Sequence, residues 1–71
     1  MSVTEQYVAA MRLVSQAEAT YRELKRASRD ALDAGDSVRF QRLYHIRRRA
    51  IVRYYRRNEA YERLVHGEVQ P

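Results

Sequence analysis

A chain of 71 residues with no cysteine has room for one small domain and no disulfide or thiolate zinc site, and its redox compartment stays open. No run of about twenty apolar residues could cross a bilayer, and Met1 to Arg12 lack the charged start and continuous apolar stretch of a signal peptide. Composition therefore predicts a cytoplasmic protein without membrane insertion, with a net charge of +5 that calls for an acidic partner.

That charge is unevenly placed. Through Ala34 five basic residues balance five acids, whereas the remainder sets nine arginines against Asp36, Glu59, Glu62 and Glu68. Between Ser37 and Asn58 no acid interrupts the arginines. The preference for arginine, thirteen against a single lysine, fits GC-rich codon usage as well as it fits function. Codon usage would not spare the first half, however, so the lopsidedness needs a physical reason.

Ser2 with Glu5 three residues on forms a capping-box signature, and a helix is predicted from about residue 3 to 34. From Val3 its apolar or small positions run Tyr7, Ala10, Val14, Ala17, Tyr21, Leu24, Ser28 and Ala31, alternating steps of four and three, the repeat of a helix buried along one seam. Arg12, Arg22, Arg26 and Asp33 lie on the opposite side.

Gly35, the only glycine in the interior, stands where a left-handed C-cap is wanted, and Asp36 or Ser37 offers an oxygen to the first amides of a second helix. A turn at residues 35–36 forces that helix, predicted over about 37–66, antiparallel to the first. Residues 67–71 are expected to form a loose tail. Bulky and small residues then meet in pairs whose numbers sum to 71: Phe40 with Ala31, Ala50 with Tyr21, Tyr54 with Ala17, Tyr61 with Ala10. The fold class is all-α, a coiled-coil-like two-helix hairpin forming one domain.

The apolar stripe of the second helix, Phe40, Leu43, Tyr44, Arg47, Ala50, Ile51, Tyr54, Asn58, Tyr61, Leu64 and Val65, is broader than one facing helix covers. A chain this short also buries little surface alone. Both features predict a homodimer in which two hairpins make a four-helix bundle, with Ile46, Arg47, Val52 and Asn58 at the oligomer interface. Arg47 in such a core would need a carboxylate, Glu23 or one from the second subunit, unless its stem merely covers the seam and its head reaches water.

Arg42, Arg49, Arg56 and Arg63 recur every seven residues on the face away from the Phe40, Tyr54 and Tyr61 stripe, in steps of about 10 Å. Such a row suits phosphate oxygens; Arg48 and Arg53 thicken it, and Tyr55 is placed to stack on an unpaired base. In the hairpin register Glu23 faces Arg48 and Glu18 faces Arg53, pairs that would neutralise part of the field, whereas Arg42, Arg49 and Arg56 have no acid opposite. The expected function is a small non-enzymatic regulatory or accessory protein that presents these arginines to a polyanion, RNA or DNA foremost. The alternative is a protein-binding module in which Ile46, Val52, Tyr55 and nearby arginines contact a larger protein. No catalytic residue, cofactor or metal site is predicted: His45 and His66 lie far apart, and Glu62 with His66 alone has ligand spacing.

Overall fold

A computed structural model of the chain describes residues 2–67. Helix α1 spans Val3–Asp33 and α2 spans Ser37–Val65, packed antiparallel as a rod of 52 × 19 × 15 Å. Ala34 and His66, placed by the sequence inside the helices, are their C-caps. Of the expected tail, Gly67 is a left-handed residue at φ +66°, and residues 68–71 lie outside the described part.

Local chemistry sets the ends. Ser2 Oγ accepts from the Glu5 N–H at 3.1 Å, which satisfies one of the first-turn amides. At the turn, the Gly35 N–H donates to Leu32 C=O and the Asp36 N–H to Ala31 C=O, at 3.1 and 2.9 Å, the paired bonds of a Schellman cap. Asp36 then starts the next helix, its Oδ1 accepting from the Arg39 N–H at 3.1 Å. One aspartate thus closes α1 with its amide and opens α2 with its carboxylate, where the helix dipole favours a negative charge.

The register agrees with the sum of 71. Tyr7 Oη donates to the Leu64 carbonyl at 2.9 Å, a pair with that same sum, and ties the open end of the hairpin. Ala17, Ala31 and Ala50 are the buried apolar residues, joined by Ser28 with no exposed surface. Each bulky partner, Phe40, Tyr54, Tyr21 and Tyr61, is half-buried beside its small one. Methyl-sized side chains at the crossing let the backbones approach while the rings fill the space to either side.

Packing along the seam leaves two flanks. Met11, Val14, Ser15, Asn58 and Tyr61 line a recess of about 150 Å³ on one. Gln16, Ala17, Thr20, Ala50, Arg53 and Arg57 line one of about 130 Å³ on the other. Met11 and Thr20 are nine residues apart, about 180° around the helix, so these are the two opposite sides, here termed the Asn58 flank and the Arg53 flank.

Gly35 sits at φ +74°, and a Cβ added there would meet nothing within 4 Å. Gly35→Ala therefore pays only the backbone cost of a left-handed L-residue, about 1–2 kcal/mol. At matched protein concentration its thermal midpoint, followed by circular dichroism, is expected to fall by about 4–16 °C; an unchanged midpoint would show that the turn relaxes to another conformation.

Candidate functional site

The absence of acids between Ser37 and Asn58 deprives the middle of α2 of i,i+4 carboxylate partners, and the structure shows the consequence. Arg48, Arg49, Arg53, Arg56 and Arg57 surround Val52 in an open surface recess of about 600 Å³. Among the described residues the ion pairs are Arg22 with Glu18, Arg63 with Glu59 at 2.8 Å, and His66 with Glu62 at 3.0 Å. None of the five recess arginines is paired with a carboxylate. Guanidiniums gathered on one surface without internal counter-charge raise the local potential and concentrate anions there.

The predicted contact residues are not equivalent. Arg48, Arg49, Arg53 and Arg56 converge on the recess; Arg42 is exposed on the same row, two turns before Arg49. Arg63 gives its Nη2 to Glu59 Oε1, so part of its charge is spent within the helix. Tyr55, 62% exposed, is outside the lining. Three residues before Asn58, it turns towards the Asn58 flank, its ring 5.7 Å from that of Tyr54.

Neither interhelical pair expected from the register forms. Glu18 bonds to Arg22 on its own helix, and Glu23 makes no ion pair among the described residues. Residues whose numbers sum to 71 share a level along the rod but not a side. Glu18, following the seam residue Ala17, points to the Asn58 flank; Arg53, preceding the seam residue Tyr54, lines the opposite one. Arg48 and Arg53 are thus left without a carboxylate partner among the described residues.

Of the four residues expected between subunits, Arg47 is engaged inside its own hairpin. Its Nη1 donates to Ser28 Oγ at 3.2 Å, and its guanidinium carbon lies 5.2 Å from the Tyr44 ring centre. Ser28 shares its own hydrogen between the Leu24 and Lys25 carbonyls, at 2.9 and 3.0 Å, which leaves lone pairs for the arginine. A hydroxyl, rather than Glu23, is thus the intrachain partner of Arg47. Ile46, on the Arg53 side, and Asn58 lie on opposite flanks, and Val52 floors the recess between the arginines.

Two basic features escaped the sequence reading. Arg57 is half-buried at the seam, its Nη1 3.5 Å from the Leu13 carbonyl; it continues the steps of three and four through Tyr54 and Tyr61, a signal obscured by reading Asn58 as the inward residue. Arg22, Lys25, Arg26 and Arg29 line a second recess of about 250 Å³ on α1. Their spacing of three, one and three marks a single helix face, hidden by the balanced charge count of the first half.

No group of three or more His, Asp or Glu able to hold a metal gathers among the described residues, and no helix there is long and apolar enough to cross a membrane. Comparison with protein-family models, with curated proteins and with solved structures finds no match.

The Arg47–Ser28 bond is open to a double-mutant cycle. Arg47→Met keeps most of the stem and removes the donor, and Ser28→Ala removes the acceptor. Chemical denaturation of the two single variants and the double variant is expected to give a coupling of about 0.5–1.5 kcal/mol; a coupling near zero would mean that the guanidinium is held by water instead.

Proposed function

We propose that the protein is a small non-enzymatic accessory or regulatory protein of the cytoplasm whose second helix binds a polyanion, with RNA or DNA as the partner. The observation that carries this reading is the recess in which five arginines surround Val52 with no carboxylate paired to them among the described residues. Arg42, Arg49 and Arg56 extend it along the rod in steps of about 10 Å, a linear charge array that suits a chain of phosphates better than a single small anion. Guanidiniums hold phosphate oxygens in bidentate fashion; Tyr55, turned towards the Asn58 flank, lies outside this array.

We infer also that the hairpin doubles into a four-helix bundle. The side chains it buries by itself are Ala17, Ser28, Ala31 and Ala50, while Val8, Met11, Leu13, Leu32, Ile46 and Val65 stay exposed. Alanine burial gives little hydrophobic stabilisation, so the fold gains its main apolar core only from a second hairpin. The surface supports this: the chain exposes 5894 Å², against about 4,700 Å² for a compact monomer of its mass.

Binding to nonspecific duplex DNA or RNA, measured by fluorescence anisotropy over a salt series, tests the first reading. Affinity should fall steeply with salt, and the Arg49→Gln, Arg53→Gln, Arg56→Gln triple variant should flatten the log–log slope by about 2 to 3. Failure to bind any nucleic acid at low salt would remove the reading. Sedimentation equilibrium tests the second: a folded monomer at micromolar concentration contradicts the bundle, and a dimer is expected.

A further inference from the structure

The two flanks differ in what they could offer to a second copy. A two-fold interface brings a patch against itself, so residues near the axis meet their own counterparts. On the Arg53 flank this would set Arg49, Arg53 and Arg56 of one chain near those of the other. Such like-charge contact opposes association. The apolar residues exposed on that side, Leu13, Ile46 and Val52 among its arginines, are too few to offset it.

On the half of the Asn58 flank farther from the turn the composition is reversed. Val8, Met11, Tyr55 and Val65 are exposed there, bordering the recess in which Met11, Val14, Ser15, Asn58 and Tyr61 meet. The carboxylates on this side, Glu18 and Glu62, are bonded within their own helices to Arg22 and His66, so the patch shows no unpaired like charge to its copy. The basic cluster Arg22, Lys25, Arg26 and Arg29 lies closer to the turn, beyond the patch.

Building on the four-helix reading, we propose that a second copy of this chain docks on the open-end half of the Asn58 flank, with the two-fold axis near Met11 and Asn58. The two turns then point away from each other, and the amide of Asn58 finds a polar partner across the axis, which fixes the register of the pair. Each Arg53 flank stays on the outside of the assembly, so dimerisation and polyanion binding do not compete. Tyr55, at the edge of the patch, becomes a rim residue of the dimer. Ile46 and Val52 remain outside the contact, and the apolar surface that the isolated hairpin exposes is covered on the half-flank whose carboxylates are paired within their own helices.

The chain has no cysteine, so single cysteines report proximity directly. Met11→Cys and Ile46→Cys, one on each flank, are oxidised mildly at a concentration where wild type is a dimer by sedimentation. Met11→Cys should form a disulfide-linked dimer and Ile46→Cys should not. In a parallel measurement, Met11→Glu should weaken dimerisation about tenfold or more, whereas Ile46→Glu leaves it unchanged. Cross-linking at Ile46 but not Met11, or a wild-type dimer cross-linked at neither, overturns the proposed face while the dimer stands. A wild-type monomer overturns both the face and the four-helix reading.

Discussion

The distance between the helices depends on four side chains no larger than a serine. Ala17, Ser28, Ala31 and Ala50 are the side chains buried in this hairpin, and because none extends far beyond its Cβ the neighbouring aromatic rings can lie alongside the opposite backbone rather than hold it away. The bond from Tyr7 to the Leu64 carbonyl at one end and the shared Asp36 at the other fix the register between these points. The layout of the surface follows from that register, since a one-residue slip on a helix turns every side chain by about 100°.

The same constraint decides what becomes of the arginines. At the seam a long cation must find an acceptor or escape to water. Arg47 finds one in Ser28, whose hydroxyl is already anchored to the preceding turn of α1 and so offers a lone pair in a fixed direction. Away from the seam no such acceptor exists on α2 until Glu59 and Glu62, which take Arg63 and His66. The arginines between are therefore left facing outward together, and the recess around Val52 results from a stretch of helix in which solvent positions were filled with one sign of charge.

Much of the fold was legible in the sequence because its signals are periodic. Steps of three and four marked both seams, Gly35 and Asp36 marked the turn, and the sum of 71 placed small against large residues at the right levels. What the sum did not encode was side. Glu18 and Arg53 share a level, yet in an antiparallel pair the residue after one seam position and the residue before its partner diverge to opposite flanks. The failure of that pair, and of Glu23 with Arg48, is a matter of helix rotation that a one-dimensional register does not contain. Arg57 and the basic face of α1 were missed for a related reason: net charge averages over a helix, whereas a surface is made of faces.

Sorting by face would make the two proposed roles, doubling and polyanion binding, compatible. A hairpin with arginine all round would resist doubling, and one with apolar residues all round would have no place for a charged ligand. Here the apolar surplus, Met11, Tyr55 and Val65, and the unpaired arginines at positions 49, 53 and 56 are separated by half a turn or so of each helix. If a second hairpin covers the first set, the low-dielectric body it adds lies behind the arginines rather than over them, leaving their heads in water and their field directed outward. Two such faces on one rigid bundle would engage a long polyanion at two points, with the second contact made at a high effective concentration. Under that arrangement, the division of one short helix pair into an apolar flank and a charged flank would supply avidity that no single row of arginines provides.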